Sequence, residues 1–343
     1  MTQALASTGE QQTSKTNIIA LVAIFTAIVA LSLAAIFTRL SEYELGPFGT
    51  IFNRFWIAAL VFWLINLFQT KKEKQKEHQE SYTRKDVIWL GVSGIMFWGC
   101  LACWAWSLTQ TGVANSTILH NLTPLFTTLV GWMLFRQRFD NRFLLGLALA
   151  MVGATALGLG DLEAGADNLM GDFAALLSAA FSAANLMLIE RLRAKFSAST
   201  IIFWCCTVGM LLSFPVALLL EGRIFPVSLS GWLAVISLAV VCQVVGQGLQ
   251  AYSLKSLPCG IVGIFLLLDP VLAALVAWAV FAESLSLSNW IAFFVILVGM
   301  YLAKSSRYGN GEAEEKEEQQ VVVSTQPQLQ QRVVRRRLAL VSR

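Results

Sequence analysis

The chain has 343 residues, of which 56 % are hydrophobic and only 13 % charged, with a formal net charge of +4. Soluble proteins carry roughly 25 % charged residues, so the composition excludes a soluble enzyme, a disordered scaffold and a nucleic-acid binder. A bilayer-spanning helix needs about 20 apolar residues, and ten of them leave room for short loops and a tail: the chain reads as an all-α polytopic membrane protein.

Residues 1–16 are polar, and the uncharged run between Lys15 and Arg39 holds helix 1 (residues 17–38). That run is too long for the core of a cleaved signal peptide, so helix 1 is expected to be retained. Helix 2 (48–68) carries one charge, Arg54, and residues 71–86 are dense in Lys, Glu and Gln, a solvated loop. Nothing is charged from Val87 to Phe135, enough for helices 3 and 4 with a small-polar turn at 109–116. Helices 5 (143–159), 6 (171–189), 7 (200–220), 8 (231–252), 9 (260–281) and 10 (289–303) follow. Helix is the form expected of each, because lipid offers backbone groups no outside partner. Residues 305–343 have the composition of a disordered tail. Its end, QRVVRRRLALVSR, is either solvated or in touch with anionic lipid.

Orientation follows from Lys and Arg in the short loops. With the N-terminus in the cytoplasm, the inner loops hold Lys71, Lys72, Lys74, Lys76, Arg84, Lys85, Arg136, Arg138, Arg142, Arg191, Arg193, Lys195 and Lys255, and the outer loops only Arg39 and Arg223. Both termini are therefore expected to be cytoplasmic, with 161–170 an external linker and the location a bacterial-type plasma (inner) membrane. The six cysteines lie in or beside apolar runs, and the CxxC of Cys100 and Cys103 has no second ligand pair. They read as small packing residues, with no metal and no cofactor expected.

The chain repeats itself. An offset of 146 relates Pro124 to Pro270, Gly153 to Gly299, Trp132 to Trp278, Phe135 to Phe281, Gln137 to Glu283 and the run 105–108 (AWSL) to 251–254 (AYSL). Helix 1 matches helix 6 at an offset of 152 (Thr26/Ser178, Arg39/Arg191, Leu40/Leu192). The repeats are thus residues 17–160 and 171–304. Five helices per repeat is odd, so the halves are expected to insert in opposite directions, as the basic RQRFDNR and its uncharged-by-Lys/Arg counterpart AESLSLS also indicate. Inverted repeats are a mark of secondary transporters that work by alternating access.

With Arg54 in FNRFWIAAL, Ser116 and Pro124 in helix 4, Glu283 in FAESLSLSNW and Gly299 in helix 10, residues 17–305 resemble the EamA-type members of the drug/metabolite transporter superfamily. Gln137 departs from the acid usual at its place in the first repeat. The resemblance implies export or exchange of small metabolites, often amino acids or related compounds.

Candidate residues for a substrate or ion cavity lie mid-span. Asp269, roughly 13 Å into helix 9, is expected to bind a substrate amine or a proton, or to be a neutral acid bonded to backbone that Pro270 frees. His120 and Asn121 sit at corresponding depth one turn before Pro124, and Pro124 and Pro270 are expected to kink their helices. Gln243, Gln247 and Gln250 share one face of helix 8, with Tyr252 beyond, and either line the cavity or join helices. Trp98, Trp104 and Trp106 serve as interfacial anchors or as aromatic walls. Trp104 aligns with Gln250 and joins the cavity set. Arg54, about 9 Å from its helix end, either snorkels outward or pairs with a substrate carboxylate or Asp269.

Two histidines, one in a charged loop, leave no constellation for an enzyme, and no Gly-x-x-x-x-Gly-Lys loop occurs for direct ATP drive. The expected partners are a small-molecule substrate, membrane lipid and protons, with no nucleic acid and with association of two chains left open. The alternative function is a membrane sensor or assembly protein that has lost transport.

Overall fold

The computed structural model describes residues 18–68, 83–111, 113–137, 139–159, 169–272, 275, 287–306 and 308. Every regular element among them is helical. The order is α1 (Ile18–Glu42, interrupted at Leu33), α2 (Pro47–Phe68), α3 (Arg84–Gln110), α4 in two pieces (Val113–His120 and Thr123–Phe135), α5 (Asn141–Leu159), α6 (Leu169–Leu192) and α7 (Ala198–Leu220). Then come α8 (Leu229–Ser253), α9 (Cys259–Leu266, resuming at 269–272) and α10 (Leu287–Lys304). Six of these, α1, α2, α3, α6, α7 and α8, are long and apolar enough to cross a membrane. Shorter apolar stretches lie at Asn141–Ala156, Cys259–Leu272 and Trp290–Lys304. The polar segment 1–16, residues 71–82 of the expected loop, residues 273–274 and 276–281 of expected helix 9, the acid Glu283, residues 161–168 of the external linker and the tail from 309 lie outside the described residues.

Side chains on the outer surface are as apolar as those inside. Leu211, Leu219, Phe173, Phe294 and Ile291 are exposed, while one large cluster built on Ile24, Phe55, Leu90, Phe143, Leu186, Ile201 and Ile261 fills the interior. Helices apolar on all sides belong in lipid.

Local chemistry sets the ends. Thr83 and Asp86 close a capping box on α3, so residues 84–86 of the expected solvated loop are its first turn. Ser197 and Ser228 cap α7 and α8, each accepting from the backbone N–H three residues on. Pro47 opens α2, where a missing N–H costs nothing. Within α8, Leu238–Gln247 winds as a π-helix.

The breaks in α4 and α9 fall in the same register. α4 stops at His120, turns through Asn121 and Leu122 and resumes at Thr123; α9 stops at Leu266, turns through Leu267 and Leu268 and resumes at Asp269. Each position differs from its counterpart by the 146 residues seen in the sequence. The prolines stand second in the resumed pieces, so the interruption lies just upstream of them. A proline cannot donate to the carbonyl four residues back and crowds it, and the helix yields there.

Helices pack with their counterparts: α2 against α7, α5 against α10, while α3 lies along α6. The α5–α10 contact is the closest and is symmetric in detail. A Cβ built on Gly299 would lie 2.6 Å from Ala150 N and 2.7 Å from Gly146 O; one on Gly153 would lie 2.7 Å from Ile296 Cγ1 and 3.0 Å from Ala292 O. Adding 146 to Gly146, Ala150 and Gly153 gives Ala292, Ile296 and Gly299, so each contact is the image of the other. As numbers rise along α5 they fall along α10: the two helices are antiparallel, with their backbones in contact through small residues.

Overpacking such a contact costs about 1–3 kcal/mol or more. Gly146→Val and Gly299→Val are each expected to lower the thermal midpoint in mild detergent clearly. Gly91→Val, at a site where a Cβ meets nothing within 4 Å, is expected to leave it unchanged.

Candidate functional site

Two groups of polar side chains lie in the interior, one joining α2, α7 and α8 and the other joining α3, α4 and α6. Arg54 of α2 is only 8 % exposed, and its Nε donates to Gln243 Oε1 of α8 at 2.7 Å. Gln243 in turn donates from Nε2 to Cys206 Sγ of α7 at 3.6 Å. Cys100 of α3 contacts Ser178 Oγ of α6 at 3.8 Å, and Ser178 meets His120 Nδ1 at 2.8 Å. The His120 ring stands 6.2 Å from that of Trp104. Arg54 is thus joined to Gln243, and His120 to Ser178 and Trp104. Arg54 does not snorkel: its neighbours hold it inside.

Asn121 sits in the break of α4, and its Nδ2 is buried without a partner, as are Trp104 Nε1, Gln250 Oε1 and Asp269 Oδ1. A buried polar atom without a partner costs roughly 1–3 kcal/mol; Asn121 lies in the break of α4 and Asp269 directly after that of α9. Gln247 is half-buried beside them on α8. Tyr252 is 45 % exposed; two residues past Gln250 is a rotation of about 200°, which takes it to the far side of the helix. Trp106 is likewise exposed, and with Trp98, Phe181 and Val216 it lines an apolar groove of about 330 Å³.

Thr123 and Asp269 occupy equivalent places. Pro124 frees the carbonyl of His120, and Thr123 Oγ1 donates to it at 2.8 Å. Pro270 frees the carbonyl of Leu266 in the same way, and the residue in Thr123's place is Asp269. A hydroxyl can always donate; a carboxyl can do so only when protonated.

Sequence reasoning missed three carboxylates at the helix ends. Glu221, at the end of α7, accepts from Phe48 N and Gly49 N at 2.7 Å each, at the start of α2. Glu44, after α1, accepts from Val227 N at 2.9 Å and Ser228 N at 3.1 Å and from the Ser228 hydroxyl, at the start of α8. Asp86 meets Lys195, at the end of α6, at 2.7 Å. A carboxylate at a helix N-terminus is stabilised by the exposed N–H groups there. The available signal was an acid directly before or after a glycine-bearing turn (Glu44 before Gly46, Glu221 before Gly222).

These features define a polytopic helical membrane protein with a duplicated repeat and a polar interior. The family model for the EamA-like transporter family matches twice, over residues 18–159 and 169–304. The chain belongs to that family, and through it to the drug/metabolite transporter superfamily. It is similar to an uncharacterized transporter of Archaeoglobus fulgidus, 24 % identical over 285 residues that cover 80 % of this chain and 93 % of the relative. It is also similar to the uncharacterized transporter YetK of Bacillus subtilis, 25 % identical over 73 % of this chain and 76 % of the relative. A solved crystal structure superposes with a TM-score of 0.68 at 20 % identity, covering 83 % of this chain and 96 % of the other, which shows a shared fold. A small-molecule substrate and a membrane setting follow from the family.

The Glu44 contacts carry a pH dependence. Hydrogen bonds from Ser228 side chain and backbone and from Val227 hold its carboxyl below the ordinary carboxylate range. A depressed value contributes stability above the unfolded-state pKa and loses it as pH falls through the folded one. Amide exchange at Val227 and Ser228 is therefore expected to speed up below the ordinary carboxylate range in the wild type. In Glu44→Gln it is expected to be fast at neutral pH and to lose that acid-dependent step.

Proposed function

We propose that the protein is a secondary transporter that exports or exchanges small metabolites, amino acids or related compounds, by alternating access across a bacterial-type inner membrane. Ten helices cross the bilayer with both termini in the cytoplasm, and the repeats, residues 17–160 and 171–304, insert in opposite directions. The observation that carries this is the pair of helix breaks in equal register, at Asn121–Leu122 and Leu267–Leu268, beside buried polar atoms without partners. Broken helices near the midplane are where such transporters bind their substrates and ions. A fixed scaffold gains nothing from them, and ionisable groups such as Arg54 and Asp269 each cost at least about 2.5–3.5 kcal/mol at the centre of a bilayer.

The cavity lies between α1, α3, α4, α6, α8 and α9, where Asp269, His120, Asn121, Gln243, Gln247, Gln250, Trp104 and Arg54 supply the polar contacts. Asp269 gives the site a way to use protons. Protonated, it can donate to the Leu266 carbonyl as Thr123 does to that of His120, and α9 keeps its short break. Deprotonated, it cannot, and it seeks water, a substrate amine or a different local geometry. Gain and loss of one proton thus biases α9 between two arrangements, which is what coupling requires.

Metabolites inside and outside cells that lack, carry or overproduce the protein test this reading, with Asp269→Asn as the matched control. A compound depleted inside and enriched outside only with the wild-type protein is expected. Equal profiles across a broad panel, despite verified insertion, would favour a membrane sensor or assembly role. Asp269→Asn, whose amide donates at every pH, is expected to lose the response to a pH gradient; wild-type transport under that gradient would remove proton coupling from this residue.

A further inference from the structure

We infer that Arg54, oriented by Gln243, is the anchor for an anionic oxygen group, carboxylate or phosphate, on the transported molecule. The inference rests on the transporter reading and adds the charge class of its substrate.

Among the described residues Arg54 is a buried cation with no carboxylate paired to it. Among the described residues its hydrogen bond is the one from Nε to Gln243 Oε1. Neither Nη nitrogen has an acceptor among them, and no described carboxylate lies within ion-pair distance. The nearest sulfur in the hydrogen-bond network is that of Cys206, against Gln243, a weak acceptor at best. No hydrogen bond or ion pair among the described residues joins Arg54 to Asp269. A guanidinium in lipid needs an anion, and this one has its two Nη groups unoccupied.

The setting is that of a recognition site. A guanidinium presents its donors as a rigid fork that matches two oxygens of a carboxylate or phosphate. Holding Nε from one side leaves the Nη pair to do so. Gln243 performs that holding from a fully buried position, its own amide turned by the contact to Cys206. It lies in the π-helical stretch Leu238–Gln247, and π turns within α-helices are frequent at functional sites. Two further donors in the interior, Trp104 Nε1 and Asn121 Nδ2, are buried without acceptors. A buried guanidinium with a free fork fits a ligand group that accepts.

The test uses the full chain in proteoliposomes loaded with a bacterial metabolite extract, with released compounds identified by mass spectrometry. Every compound the wild type releases above empty liposomes is expected to carry a carboxylate or a phosphate, and their chemistry shows which. Gln243→Glu places an internal carboxylate against the guanidinium. It is expected to raise the thermal midpoint in detergent and to cut release at least tenfold, because the anchor is then filled. Arg54→Lys keeps the charge but loses the fork, and is expected to cut release at least tenfold with little change in expression; it carries the same test if Gln243→Glu misfolds. Wild-type release by either variant overturns the inference, since a purely structural arginine would allow it. Release of only neutral or cationic compounds overturns it while leaving transport standing. No release at all removes the transporter reading, and the inference with it.

Discussion

Inside a bilayer a backbone carbonyl that loses its helical partner has no water to turn to, and this chain loses one at the same place in each half. Pro124 and Pro270 cannot donate to His120 O and Leu266 O. Helices α4 and α9 therefore break two residues upstream of their prolines, and side chains have to meet what the break exposes. Thr123 meets its carbonyl with a hydroxyl. Asp269 stands in the matching place with an acid, whose ability to donate depends on a proton. The polar interior of the protein is organised around these two breaks, because they are the points where backbone polarity enters an otherwise apolar core.

The breaks coincide because the halves are copies, and the copies meet across α5 and α10. Gly146, Gly153 and Gly299 remove the side chains that would hold these helices apart, and the contacts on one side are the images of those on the other. An antiparallel pair of equivalent helices implies a two-fold relation whose axis runs across the helices and not along them. At the bundle's ends, Glu44 ties α1 to α8 and Glu221 ties α7 to α2, while Asp86 and Lys195 tie α3 to α6. Each tie joins a helix of one repeat to a helix of the other.

Much of this was legible in the sequence. Uncharged runs gave the helices, and the fixed offset between Pro124 and Pro270 and between Gly153 and Gly299 exposed the duplication, because both residue types have backbone consequences that do not depend on neighbours. That Asp269 directly precedes Pro270, and that His120 and Asn121 lie just before Pro124, was visible for the same reason. What depends on rotation and on distant partners was not. Tyr252 follows Gln250 in sequence but points away from it, and nothing in the spacing of the glutamines announces a π-helical stretch. Arg54 could be placed along its helix but not assigned a side, since snorkelling and burial start from the same position. Gln243 lies 189 residues away from it in the chain. Glu44 and Glu221 read as loop acids because the helix starts that they cap lie across the molecule.

The proposed alternating access requires the two repeats to insert in opposite directions, and equivalent positions offer the most direct measurement of that requirement. Arg142 and Ser288 are related by the 146-residue offset and are exposed near the starts of α5 and α10. Single cysteines at these positions, probed with a membrane-impermeant maleimide in intact cells against the wild-type background, should behave oppositely: Ser288→Cys labelled from outside, Arg142→Cys only after the membrane is opened. Labelling of both from the same side would contradict the inverted arrangement.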